Sequence, residues 1–322
     1  MVRRAIQLAT SHPQGPAYLM GAREVMEETI EPYSVNSAYW KPVAPSALPD
    51  YAVAEIADAL ANASDPLAIV GFTGRNHAAV KPLVALADTI KGLRVLDTGC
   101  SDMCFPADHP GWLGMKYGVD SVIENADVFL ILDCDVPWIN KLCKPKSSAR
   151  IFHLDVDPLK ESMLVFYIDA EQRYRVDAEI ALKQITEYLQ NNLAEKLSSA
   201  ASESRAQALV KSYQERINTL DQRAKLPDSG KLTTDYVCAT LRETLPQDTI
   251  WAVEAITNAI SVSDQVRATL PGQWVHCGGG GLGWSGGGAL GVKLAADAAD
   301  ALVPGKNKRY VVQVVGDAPR RP

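Results

Sequence analysis

Nine of the sixteen residues in the stretch 276–291, HCGGGGLGWSGGGALG, are glycine. A glycine inside a regular element costs roughly 1 kcal/mol relative to alanine. Such a run implies that backbone must come close to something a side chain would block, commonly a ligand at a helix N-terminus. Two acids stand at comparable places around it. Glu254 closes the apolar run 249–253, and Asp317 follows the apolar run 310–315 and Gly316. An acid at the carboxyl end of a buried strand lies where open α/β sheets bind ligands. The same positions also suit a helix cap or a turn, and residue type alone does not separate the two roles. Thr257 and Asn258, just after Glu254, read as a helix start.

These residues need a frame to hold them together. Residues 249–254 and 310–315 are apolar enough to be strands buried on both faces of a parallel sheet. Residues 231–245 and 289–302 read as helices, the second alanine- and leucine-rich and tightly packed. Upstream, helical patterns over 52–63, 78–91, 121–125 and 178–189 alternate with strand patterns over 67–70, 93–96, 128–132 and 150–157. That alternation predicts an α/β fold with a doubly wound parallel sheet. A helix over 3–11 and a short strand over 17–20 precede it. Pro32, Pro42, Pro45 and Pro49 mark a linker, and the charged stretch 191–227 reads as a solvated connecting helix. The expected organisation is an N-terminal segment 1–35, a linker 36–50, a central domain 51–190, a helical connector 191–228 and a last domain 229–322.

Composition narrows the function. The 322 residues are 47% hydrophobic and carry a net charge of −6, with no basic field to attract nucleic acid. No run approaches the ~20 apolar residues of a membrane span, and no signal peptide opens the chain. A soluble protein of the cytoplasm is expected, with a mitochondrial location left open. Cys100 and Cys104 have a metal-like spacing but no second pair or nearby histidine, so these and the other cysteines read as buried or incidental thiols. Residues 71–75, GFTGR, follow a predicted strand without forming G-x-G-x-x-G. His109, in the run FPADHP, suits a structural bond to backbone.

The order VEAITN, HCGGGGLGWSGGGALGVKLA and VVQVVGD resembles the diphosphate-binding domain of thiamine diphosphate-dependent enzymes, in the group of acetolactate synthase, benzoylformate decarboxylase and 2-hydroxyacyl-CoA lyase. Residues 51–190 resemble the central domain of that family, and GPAYL at 15–19 resembles the end of its pyrimidine-binding domain. The resemblance implies a Mg²⁺- and thiamine diphosphate-dependent carboligase or lyase of acetolactate synthase type acting on 2-oxo acids, a homodimer or homotetramer in its full-length form. By the same resemblance Thr257 would bond the diphosphate and Gly280 would offer its backbone carbonyl to the aminopyrimidine amine, with Gly281 also among the cofactor-binding residues. Leu282 would prop the bent cofactor, Gly316 and Asp317 would open the metal motif with Asp317 on Mg²⁺, and Glu254 would lie near the cofactor.

The sequence departs from that pattern at Ala318, where the motif has a third glycine. The family's metal-binding asparagine and ring-activating glutamate have no counterpart, so no catalytic residue is assigned. The expectation is a fragment, inactive alone. FAD, bound by some central domains of the family, has no motif in its favour. The alternative reading is a non-catalytic pseudoenzyme, or a nucleotide-binding or regulatory protein built on the central domain.

Overall fold

The computed structural model describes residues 1–99, 102–161, 163, 168–278 and 280–316. Helices α1 (Val2–Thr10) and α2 (Arg23–Met26) lie in an extended, exposed N-terminal segment. Next come α3 (Asp50–Asn62), β1 (Pro66–Val70), α4 (His77–Thr89), β2 (Arg94–Asp97), β3 (Trp112–Met115), α5 (Ser121–Asn125), β4 (Val128–Leu132), β5 (Arg150–Asp155), β6 (Gln172–Arg175) and α6 (Ala178–Asn192). The strands form one parallel sheet in the order β3-β2-β1-β4-β5-β6. This is the doubly wound order, with its topological switch between β1 and β4.

The predicted α/β architecture is thus present, and the period-two pattern of its strands explains the core. Val70, Leu130 and Leu132 pack with Ile56, Leu86 and Ile185 of α3, α4 and α6. Ile69, Phe129 and Ile131 point the other way, to Ile123 of α5 and Trp138. Side-chain caps set the helix starts: Asn76, Asp120 and Asp177 accept from the amides of Ala78, Val122 and Ile180.

Helices α7 (Ala194–Leu197) and α8 (Ala200–Arg223) lead to α9 (Thr234–Thr244), β7 (Ile250–Glu254), α10 (Ala259–Val266), β8 (Trp274–His276), α11 (Trp284–Ala301) and β9 (Val311–Val315). The three strands form a second parallel sheet, ordered β8-β7-β9. Its core joins that of the first unit, since Val80, Met103 and Met115 pack with Trp251, Val253, Val262 and Trp274.

The stretch read as a solvated connector does more than connect. From α8, Arg205 donates to the carbonyl of Ala63 at 2.6 Å and Tyr213 to that of Ala107 at 3.1 Å. Arg216 pairs with Asp264 at 2.6 Å, and the carbonyl of Leu220 accepts from Gln265 at 2.9 Å. One face of α8 therefore fastens both sheets.

Several expectations need correction. Residues 17–20 are exposed extended chain without a strand. Strands β3, β6 and β8 were not foreseen because their sequences hide them. WLGM of β3 contains Gly114 at φ 90° beside an irregular register, QRYR of β6 turns only Tyr174 inward, and β8 has three residues. Helix α11 begins at Trp284, so Gly286, Gly287 and Gly288 lie within it. It is not tightly packed, because Leu290 and Leu294 are 69% and 73% exposed. Strand β9 is half-exposed, being paired with β7 at the sheet edge. No described helix is long and apolar enough to cross a membrane.

Candidate functional site

Because β7, β8 and β9 are parallel, the segments that follow them emerge at one edge. These are residues 255–258, the glycine stretch from Cys277 on, and Gly316. A cleft opens there beyond the ends of β7 and β9, with Ile256, Thr257, Asn258, Val315 and Gly316 on one side and Thr233, Thr234 and Val237 of the α9 start on the other. Thr257 and Asn258 are exposed. Asn258 precedes α10 without a side-chain cap, so the first-turn amides of that helix have no side-chain acceptor among the described residues. Thr233 and Thr234 were not singled out in the sequence, although the run TTD ahead of an apolar helix is a start signal. Thr233 does cap α9, accepting from the amide of Tyr236 at 3.2 Å.

Glu254 does not face the cleft. It is 1% exposed, and its two carboxylate oxygens accept from the amides of Gly283 and Ser285, each at 2.5 Å. It therefore occupies the anion seat at the N-terminus of α11 that the glycine stretch seemed to offer a ligand. Burial alone would raise its pKa. The bonds from Ser285 and Gly283, with a smaller contribution from His276, outweigh this and hold it below the usual carboxylate range. Gln313 of β9 donates to the hydroxyl of Ser285 at 2.8 Å and so extends the clamp to the third strand.

Gly280, Gly281 and Leu282 stand on the rim beyond the clamp rather than in the cleft lining. They are exposed, Leu282 at 64%, and a Cβ added at Gly280, Gly281 or Gly283 would meet nothing within 4 Å. Gly280 has φ 67° and Gly283 φ 91°, conformations that favour glycine in their own right. His276 stacks on Trp274, and its buried Nε2 has no partner among the described residues. Burial pushes its pKa down, against the pull of Glu254. The proposed metal ligand Asp317 lies outside the described residues, as does Cys100. Among those described, no cluster of His, Cys, Asp or Glu is arranged to hold a metal ion.

A second crevice lies at the β1/β4 switch of the first sheet. Phe72, Thr73 and Arg75 line it beside Asp133, with Asp135, Asp155, Asp157 and Lys160 adjoining. Asp155 accepts from Lys160 at 2.6 Å and contacts His153 at 3.3 Å. Desolvation and the neighbouring Asp155 raise the pKa of Asp133 to about 7. These residues do not fit the pyrophosphate of FAD. Four carboxyl groups stand where glycine amides and an open helix N-terminus are needed, and α4 is already capped by Asn76. His109 is structural, accepting from the amide of Gly111 at 2.9 Å and pairing with Asp88 at 3.1 Å.

Comparison with known proteins places this architecture. Residues 53–183 match the family described as thiamine pyrophosphate enzyme, central domain. The first sheet and its helices are the part of the chain that matches, and the chain as a whole carries a fold similar to that of thiamine diphosphate-dependent enzymes. Among solved structures it is similar to the benzoylformate decarboxylase of Polynucleobacter necessarius, at 18% identity and a TM-score of 0.74 over 99% of this chain and 55% of that one. It is also similar to the thiamine diphosphate-dependent 4-hydroxybenzoylformate decarboxylase of Rhodococcus jostii RHA1, at 17% identity and a TM-score of 0.72 over the same shares. The chain thus spans about half the length of these relatives.

Proposed function

We propose that this chain serves thiamine diphosphate-dependent chemistry on a 2-oxo acid, decarboxylation or carboligation of the acetolactate synthase-like kind, as part of a homodimer or homotetramer. The observation that carries the reading is the edge of the second sheet. There an uncapped helix start, exposed Thr257, Gly316 and a glycine rim with open space above it come together.

The residues present fit the group. The N-terminus of α10 would receive the diphosphate, since aligned amides and the helix dipole favour negative charge, and Thr257 would add a hydroxyl donor. The space over Gly280 and Gly281 would admit a flat ring against backbone, with Leu282 as an apolar prop. Glu254 holds that rim rigid by fixing Gly283. Asp317, directly after Gly316, is the proposed ligand for Mg²⁺, which prefers carboxylate and phosphate oxygens. When bound, thiamine diphosphate would supply a nucleophilic carbon for the keto carbonyl of the substrate and an electron sink for the bonding pair left behind when the carboxylate departs as carbon dioxide.

Calorimetric titration with thiamine diphosphate in the presence and absence of Mg²⁺ tests the reading. Mg²⁺-dependent binding is expected, weakened about fivefold or more by Thr257→Ala for the loss of one charge-assisted hydrogen bond and removed by Asp317→Ala. Binding that ignores both substitutions refutes the assignment. Carbon dioxide release from benzoylformate and from pyruvate then reports the activity.

A further inference from the structure

Tyr117 belongs to the first unit, yet it bonds to a residue that lines the cleft of the second. It follows β3 in a turn closed by a bond from the Val119 amide to the Lys116 carbonyl at 3.0 Å. Its φ is 45°, in the left-handed region, an unusual and costly conformation for an aromatic residue. That backbone lays the ring on Gly99, where an added Cβ would sit 2.4 Å from the ring. The Gly99 amide is held in turn by Asp97 at 2.7 Å. From this seat the phenol hydroxyl donates to the carbonyl of Ile256 at 3.3 Å.

Burial does not account for the arrangement, since Tyr117 remains 39% exposed. The apolar seal between the two units is made elsewhere, by Met103 and Met115 against Trp251, Val253 and Trp274. What the strained backbone accomplishes is a hydrogen bond onto the segment that carries Thr257 and opens α10. A phenol is a donor at neutral pH in any case, and desolvation first, then Cys277 and Asp97, raise its pKa further.

We infer that Tyr117 is a positioning residue, a strut through which the first unit holds residues 255–258 in place so that the start of α10 can receive an anion. The identity of the anion rests on the proposed function; the strut does not.

The test compares the full chain with Tyr117→Phe, which keeps the ring and removes the hydroxyl, and Gly99→Ala, which displaces the ring from below. Hydrogen exchange of amides 256–260 without ligand is the primary readout, followed by calorimetric titration with thiamine diphosphate and Mg²⁺. Tyr117→Phe should speed exchange in that segment about fivefold, the worth of one hydrogen bond, and raise the dissociation constant by a similar factor. Exchange in β1 and β4 should stay unchanged. Gly99→Ala should act in the same direction and more strongly. Unchanged exchange at 256–260 in Tyr117→Phe overturns the inference, and so does an equal acceleration throughout the second unit, which would mark general loosening. Faster exchange confined to 256–260 in a chain that binds no thiamine diphosphate supports the strut and refutes the cofactor reading.

Discussion

Replacing Asp133 with asparagine should stabilise the first unit at alkaline pH and leave it nearly unchanged in acid. Asp133 is 6% exposed just after β4, near Asp155 at the end of the neighbouring β5, with Arg75, Lys160 and the Val156 amide as its favourable neighbours. Desolvation and Asp155 raise its pKa from 3.8 to about 7. At 1.36 kcal/mol for each pH unit, ionising Asp133 in the folded chain costs about 4 kcal/mol more than in the unfolded one. The sign follows from proton counting. Between pH 3.8 and about 7 the folded state holds a proton that the unfolded state has released, so stability falls as pH rises through that window. Below it both states are protonated, and above it the whole penalty applies. An amide at this position keeps an acceptor for Val156 and cannot ionise. Urea-dependent hydrogen exchange of β4 and β5 peptides at pH 5.0 and 8.5 would measure the gain. We expect Asp133→Asn to add about 2–4 kcal/mol at the higher pH and much less at the lower. An equal gain at both values would make the effect one of packing, and a loss at pH 8.5 would refute the electrostatic account.

Glu254→Gln should leave an amide N–H₂ facing a backbone donor, at a cost of about 1–3 kcal/mol for the unsatisfied group. Exchange of the Gly280–Ser285 amides should accelerate sharply, and unchanged protection there would show that the clamp is not what orders the rim. Exchange of β9 should far outpace that of β4. The former is half-exposed at an edge, and every residue of the latter is buried between two paired strands. Equal protection would mean that something further covers β9.

The sequence was most legible where burial and periodicity agree. VFLIL at 128–132 could be nothing but a central strand, and it is one. The carboxyl-edge placement of 255–258, the glycine stretch and Gly316 also followed from run lengths and parallel order. The partner of Glu254 did not, because two amides of a helix start and a cofactor make the same demand for an acid at a strand end. Only the positions of Gly283 and Ser285 decide between them. Tyr117 was invisible for a different reason. Its importance lies in a backbone angle and in a contact between residues 139 positions apart, neither of which leaves a local pattern. Helix α11 misled through composition, since leucines at helical spacing look the same whether they face a core or solvent.

Helix α8 constrains how the chain can change in length. Its 24 residues extend about 36 Å at 1.5 Å per residue. Its fastenings at Arg205, Tyr213, Arg216 and Leu220 lie on one side because their spacings approximate whole turns. A single inserted residue would swing every fastening beyond it by about 100° and carry Arg216 away from Asp264. Insertions or deletions of seven residues restore the side but shift the second sheet along the first by about 10 Å. Drift by insertion and deletion should therefore collect in the largely exposed run 225–232 that follows α8 and spare the helix itself, so that related chains keep its length while varying beyond it.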